Sequence, residues 1–171
     1  MKLEDGDVVL RPFVDEDVPA IVAACQDPEI PRWTSVPSPY TEADARAFLM
    51  GAPNVHTFAV VDRDTGALLG SVGFQVLDHS RATFGYWVAR EARGRGVATR
   101  ALSLLSRWAL SEHGLARVQL IVEPENVASI RVAENAGFRR EALLRSYIEL
   151  HGTRRDVYLY ALLADDVAAE P

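Results

Sequence analysis

The stretch from Val88 to Leu105, VAREARGRGVATRALSLL, carries the residue types best suited to chemistry. A strand-like run, Thr83 to Ala89, feeds a loop in which Gly94 and Gly96 stand among Arg90, Arg93, Arg95 and Arg100, and an apolar-periodic helix begins near Val97. Unpaired amides at a helix start, the positive end of the helix dipole and cationic side chains together favour phosphate oxygens. Glycine lets the backbone take a positive φ and approach a ligand with no Cβ in the way. The spacing argues against two familiar phosphate loops. No lysine stands where G-x-x-x-x-G-K-[ST] requires one, and Gly94, Gly96 and Thr99 miss the third small position of G-x-G-x-x-G. What remains is R-x-x-G-x-A, carried by Arg93, Gly96 and Ala98. An ordinary glycine-rich strand-to-helix turn with solvated arginines fits the same letters.

A second constellation lies downstream in ENVASIRVAENAGF, where Asn126 and Ser129 precede the pair Gly137-Phe138. Asn126 and Ser129 are three residues apart at the start of a helix that follows a strand. Both side chains can then face one cleft just beyond the strand end. Either is also a good helix cap.

The elements that must position these residues follow from periodicity. Val8 to Phe13 alternates as a first strand, placed near a sheet edge by Pro12. Asp15 is expected to cap a helix over Asp17 to Gln26. Pro28, Pro31, Pro37 and Pro39 keep Asp27 to Tyr40 from being one helix. Thr41, with Asp44 three residues on, caps a second helix that turns Ala45, Phe48 and Leu49 inward. Strands at 56–61, 67–77 and 82–89 have spacings short enough for an antiparallel meander. The helix at 97–112 then crosses over to a strand at 117–122, RVQLIV, which must lie parallel to the strand before the helix. A helix over 127–136 and strands at 145–150 and 156–162 complete an order β-α-α-β-β-β-α-β-α-β-β. Residues 1–164 read as a single domain, with a frayed tail over 165–171.

Composition bounds the function. The chain has 171 residues, 49% of them hydrophobic and 25% charged, as in a soluble globular domain. Cys25 is alone, so there is no internal disulfide, and it reads as a small packed apolar residue. The four histidines show no metal-binding spacing, so no metal is expected. A net charge of −6 argues against nucleic acid as a partner. The acidic start MKLEDGDVVL is neither a signal peptide nor a membrane span, which predicts a cytoplasmic protein with no membrane partner.

Taken together, LRPFVDEDVPAI, LLGSVGF, FGYWVAREARGRGVATRALSLL, the N-V-A-S and AGF pieces, and LRSYIELHGTRRDVYLYALL resemble the GNAT N-acetyltransferase superfamily over nearly the whole chain. Within it, the chain is most similar to the branch of RimJ/RimL-type ribosomal-protein N-terminal acetyltransferases. The resemblance implies an α/β fold with a mixed sheet, opened as a V between the fourth and fifth strands, with acetyl-CoA as co-substrate in the opening. The reaction it implies is direct attack of an amine on the acetyl thioester, the acceptor being a protein N-terminal amine. A small amine (antibiotic, polyamine or amino acid) is the alternative acceptor, and a CoA-binding module of weak catalytic power is a third reading. The oligomeric state is left as monomer or homodimer.

The same resemblance implies site residues. Main-chain groups of Trp87, Val88 and Ala89 would hold pantetheine. Arg93, Gly94, Arg95, Gly96, Val97, Ala98 and Thr99 would wrap the pyrophosphate, with Arg100 in reach. Asn126 and Ser129 would line the opening. Ser129 stands where this branch has its proton donor, whereas the tyrosine that many superfamily members carry seven residues after the asparagine is replaced by Ala133. A glutamate proposed as base in some relatives aligns with Ile148, and Glu149 beside it would face the other side of a strand. Glu123, at the end of RVQLIVE, is the candidate base, with a surface carboxylate or a strand-end ion pair as the alternatives and water relayed to solvent as another proton acceptor. Trp33 and Tyr40 are the candidates for an acceptor wall, although Trp33 packed onto the core is an equal reading.

Overall fold

The structure, a computed structural model, describes residues 2–168. It begins with a hairpin of β1 (Leu3–Asp5) and β2 (Val8–Arg11), turned at Gly6 with φ +57°. The first of these strands was not expected, and the second ends two residues early because Pro12 has no amide to give a sheet. Asp15, expected as a helix cap, makes no cap bond. Residues Asp15–Asp17 form a 3-10 turn ahead of α1 (Val18–Ala24), and the capping role falls to Asp17. Its carboxylate accepts from the Val14 amide at 3.0 Å and takes both arms of Arg11 at 2.7 Å.

The proline-rich stretch is not one helix, but it holds a single short one, α2 (Glu29–Trp33). The following helix, α3 (Glu42–Met50), starts as predicted. The Thr41 amide donates to Asp44 at 2.8 Å, and the Asp44 amide donates to the Thr41 hydroxyl at 3.3 Å. The meander is β3 (Val55–Asp62), β4 (Leu68–Val76) and β5 (Arg81–Val88), followed by α4 (Val97–Ser111), β6 (Arg117–Val122) and α5 (Val127–Asn135). The last hairpin is longer than predicted, with β7 (Arg139–Leu150) and β8 (Thr153–Leu163). Most β7 side chains are exposed at the end of the sheet, so no apolar alternation announced its first half. The tail expected to fray from Asp165 instead forms α6 (Ala164–Ala168) over its first residues, while 169–171 lie outside the described residues.

Among the described residues, eight strands form one mixed sheet in the order β1-β2-β3-β4-β5-β6-β8-β7, in which β5 and β6 are the parallel pair. Helices cover both faces. Val97, Ala101, Leu102, Leu105 and Ala109 of α4 are buried with Leu10, Val60, Val72, Phe84, Val118 and Tyr160 of the sheet. Full burial of Leu102 and Leu105 stabilises the fold by roughly 2 kcal/mol each. On the opposite face a smaller core joins Val18, Ile21 and Cys25 to Tyr40 and Ala45, with Trp87 of β5 against it. Burial pushes the Cys25 thiol up to about 11, which leaves it an inert packed residue. No helix among the described residues is long and apolar enough to cross a membrane.

Candidate active site

The parallel pair is short. β5 and β6 are joined only from Arg81↔Arg117 to Thr83↔Gln119, although β5 runs on to Val88 and β6 to Val122. Their outer edges stay paired throughout, β5 with β4 as far as Gly70↔Val88 and β6 with β8 as far as Val122↔Tyr158. Among the described residues, the two facing edges therefore diverge with no strand partner for their main-chain groups, which is the predicted V. It lies between the fifth and sixth strands because β1 adds one to the count.

The hydrogen-bond phase decides which residues line the opening. The Ala89 amide donates to Leu69 O at 2.9 Å and the Leu77 amide to Arg81 O at 2.8 Å, so odd-numbered residues of β5 turn their main chain toward β4. Even-numbered ones turn the other way, as Ser80 does when its carbonyl accepts from Ala116 and Arg117 at 2.9 and 3.1 Å. Period two then puts the main-chain groups of Phe84, Tyr86 and Val88 on the open edge. This corrects the expectation for Trp87 and Ala89, whose main chain serves β4, and keeps Val88. On β6 the same argument, from the Ala164 amide donating to Ala116 O at 3.1 Å, leaves Ile121 facing the opening.

Past the end of β5 the glycine loop has the predicted conformation. Gly94 and Gly96 have φ of +74° and +73°, which side chains resist, and Gly96 is the N-cap residue of α4, with no side chain to cap it. Among the described residues, no amide from Gly94 to Thr99 finds an acceptor within the chain, and the first to do so is Arg100, onto Gly96 O at 3.1 Å. The arginines are less free than the sequence suggested. Arg93 donates to Val88 O at 3.2 Å and pairs with Asp27, whose side chain is only 7% exposed, at 2.8 Å. Its guanidinium thus ties the loop to the segment between α1 and α2. Arg95 lies 3.5 Å from Asp7 and 3.7 Å from Asp62. Arg100 pairs with Asp7 and donates to Arg95 O at 3.1 Å. The bond from Arg100 holds the Asp7 carboxyl below the usual carboxylate range.

The start of α5 is built differently. Asn126 accepts from the Ser129 amide at 3.1 Å, so the capping reading of Asn126 holds. The Ser129 hydroxyl takes no part in that cap and instead shares a hydrogen bond of 2.6 Å with the Tyr86 hydroxyl on β5. Burial pushes Tyr86 up to about 12, with the Ser129 bond acting against that rise. Tyr86 was not singled out from the sequence. It lies on the α4 side with Phe84 and Val88, and only the fold brings it to a residue 43 positions away. Ala133 is fully buried in the core.

Glu123, immediately after β6, is a buried carboxylate 3.9 Å from Arg155 of β8, and its carbonyl accepts from the Asn126 amide at 2.9 Å in the turn into α5. Trp33 is half-buried, donates to Glu29 at 3.3 Å and carries the Arg32 guanidinium 4.6 Å from its ring centre. His151, in the turn between β7 and β8, reaches Pro31 O at 2.5 Å and so braces α2. Tyr40 does not form an exposed wall. It is 7% exposed inside the smaller core, and burial raises its hydroxyl to about 12. Thr41 must start α3 immediately after it, which draws the ring under the helix.

Comparison with known proteins agrees with this geometry. Residues 7–139 match the family described as acetyltransferase (GNAT) domain. The uncharacterised N-acetyltransferase YoaA of Bacillus subtilis is 30% identical, covering 94% of this chain and 96% of its own length. A GNAT-family acetyltransferase from Bacillus anthracis has the same fold, with a TM-score of 0.89 at 24% identity over 96% of this chain and 99% of that one. RimJ of Mycobacterium smegmatis, solved with a CoA-disulfide, superimposes with a TM-score of 0.84 at 26% identity, over 98% of this chain and 88% of its own. With a matched domain that spans most of its length and a divergent parallel pair feeding an uncapped glycine helix, the chain belongs to the GNAT acetyltransferases.

Proposed function

We propose that this chain is a RimJ/RimL-type enzyme that moves the acetyl group of acetyl-CoA onto a protein N-terminal amine. The observation that carries the reading is the unpaired edge of β5 running straight into unpaired amides at the start of α4. An extended amide chain can add to such an edge as another strand would. Its diphosphate end then meets the Gly94–Thr99 amides at the positive end of the helix. The main chain of Phe84, Tyr86 and Val88 holds the pantetheine, and Trp87 and Ala89 keep that edge straight through their bonds to β4. Acetyl-CoA supplies an activated acyl group on a thiol leaving group.

The protein's own residues then have three tasks: to bring the amine alongside, to accept its proton and to protonate the departing sulfur. Ser129, at the mouth of the V, is the proton donor in this reading. Glu123, at the end of the other strand, is the proton acceptor. Trp33, on a helix braced by the last hairpin, lines the acceptor side. Residues 1–164 act as one catalytic domain in the cytoplasm, as a monomer or homodimer, with no metal, nucleic acid or membrane partner. The similarity to RimJ of Mycobacterium smegmatis supports the protein N-terminus as acceptor.

Thiol release from acetyl-CoA, measured with a panel of N-terminal peptides, polyamines, aminoglycosides and amino acids, tests the proposal. Turnover with peptides is the expected result. Turnover confined to one of the small amines reassigns the acceptor, and tight CoA binding without turnover on any amine makes the chain a binding module. A pH–rate profile tests Glu123 separately. Glu123→Gln should abolish the acid limb, and an unchanged profile would pass the proton to ordered water.

A further inference from the structure

We infer that Tyr86 is a positioning residue for Ser129, holding the serine hydroxyl so that its own proton points into the opening between β5 and β6. The inference rests on Ser129 being the proton donor. Its evidence is a contact that spans the V. Tyr86 leaves β5 on the face packed by α4, and its hydroxyl sits 2.6 Å from Ser129 Oγ in the first turn of α5. No other side chain among the described residues bonds either hydroxyl.

The chemistry of the two groups sets the direction of the bond. A phenol is a far stronger acid than an aliphatic alcohol, so the favoured arrangement has Tyr86 O–H donating and Ser129 Oγ accepting. The alternative acceptor for Tyr86, the Ser129 carbonyl, is at 3.5 Å, the limit of a useful bond. Once one lone pair of Ser129 Oγ is filled from the Tyr86 side, its O–H must point elsewhere. The Ser129 amide is already fixed by Asn126 at 3.1 Å, so the main chain of this residue is pinned on one side and its hydroxyl on the other. A serine otherwise rotates freely about χ1 among three wells, and one donor at the right place selects one of them. Burial keeps Tyr86 protonated up to about pH 12, so the donor is present at every pH at which an amine acetyltransferase is assayed.

The sequence around Tyr86 fits this role. Phe84 and Val88 on the same face are apolar and packed, whereas the residue between them carries a polar tip. A hydroxyl pushed into that packing is costly without a partner, and Ser129 is the partner the fold provides.

Tyr86→Phe removes the hydroxyl and keeps the ring, so packing is retained. Steady-state kinetics of wild type, Tyr86→Phe, Ser129→Ala and the double variant make the test, with circular dichroism and melting curves confirming that each variant is folded. The expected result is a fall in kcat of about tenfold in Tyr86→Phe, the scale of one lost hydrogen bond, with KM for acetyl-CoA within twofold of wild type. The double variant should be no slower than Ser129→Ala alone, because Tyr86 acts only through that serine. Wild-type kcat in Tyr86→Phe, or a double variant slowed by the product of the two single effects, overturns the inference. Wild-type turnover in Ser129→Ala has a different meaning. It removes Ser129 from the chemistry and the positioning role with it, which separates failure of the underlying reading from failure of the inference alone.

Discussion

Two helices of this chain start just past the end of a parallel strand, side by side at the same end of the sheet, and they are built in opposite ways. At α4 the N-cap residue is a left-handed glycine, Gly96, with no side chain, and among the described residues the amides that follow are left without partners. At α5 the N-cap residue is Asn126, whose side chain accepts from the Ser129 amide at 3.1 Å. The difference is functional. An uncapped helix is a helix whose stabilising partner is supplied from outside, whereas a capped one has its first turn fixed in advance. The α4 start is suited to binding an anion, and the α5 start to presenting one hydroxyl in one place. On the proposed function, the nucleotide is gripped at one strand end and chemistry is done at the other.

The strongest way to break the comparison is to give α4 a carboxylate of its own. Gly96→Asp sets a fixed negative charge among the free amides, where a pyrophosphate would sit. Like charges about 4 Å apart near a protein surface repel by roughly 4 kcal/mol, so acetyl-CoA affinity should fall by about a thousandfold. Titration calorimetry reads this directly. Aspartate is one of the few residues that tolerates the left-handed region, so the variant should still fold. Affinity within tenfold of wild type would mean that the α4 start is not the anion site.

A third helix start sharpens the contrast between anion-binding and self-contained ends. Before α1, Asp17 caps the Val14 amide and takes both arms of Arg11, with its side chain only 8% exposed. Burial alone would raise this carboxyl, but the bonds from Arg11 and Val14 outweigh it, so it sits below its usual value. The stability it confers is therefore present above about pH 4, the value of a free aspartate, and is lost as pH falls through the lower folded value. Asp17→Ala should cost about 3 kcal/mol in urea unfolding at pH 7, because it strands a half-buried guanidinium. The gap between wild type and variant should shrink toward pH 3. Acetyl-CoA affinity should not change, since among the described residues the Asp17 carboxylate bonds Arg11 and Val14 and neither β5 nor the start of α4.

The arginines around the glycine loop offer a smaller perturbation. Arg95 is balanced between Asp7 and Asp62 at 3.5 and 3.7 Å, distances long enough to leave its guanidinium available to a phosphate. Arg93 is spent on Asp27 and Val88. Arg95→Ala should weaken acetyl-CoA binding by about tenfold, with a loss that fades as salt is raised, because the contact is exposed. Arg93→Ala should instead lower the melting temperature more than it lowers affinity. An equal loss of affinity in both variants would remove the distinction between a binding and a tethering arginine.

Much of this arrangement was legible in the letters. The order of elements, the parallel pair and the left-handed glycines follow from local periodicity and from chirality, which a chain carries in its own residues. What escaped was set by contacts between distant segments. Nothing near Leu3–Asp5 marks a strand until β2 folds back upon it. The first half of β7 is mostly exposed, so its sequence never needed to alternate apolar with polar residues. Trp87 and Ala89 were assigned to the open edge, but their phase is fixed by bonds to Ser71 and Leu69 across the meander. Tyr40 looked like an exposed aromatic in a loop, but the helix that Thr41 starts carries it into the smaller core. Arg93 matched a phosphate motif, yet its partner is Asp27, in another part of the chain. Tyr86 was passed over because nothing local distinguishes its ring from its apolar neighbours.

The mildest test falls on the capped helix itself. Asn126→Ala removes the acceptor for the Ser129 amide and should destabilise the protein by about 1 kcal/mol, the usual worth of an N-cap. The kinetic effect is the informative part. With its first turn frayed, α5 no longer holds Ser129 against Tyr86, so kcat should fall severalfold while acetyl-CoA affinity, carried by α4, stays close to wild type. Asn126→Asp restores the acceptor and should restore both stability and kcat. If Asn126→Asp recovers stability but not turnover, the asparagine touches the reactants directly, and the α5 start is a binding end like its neighbour. Recovery of both together would mean that one helix start serves the ligand and the other serves the serine.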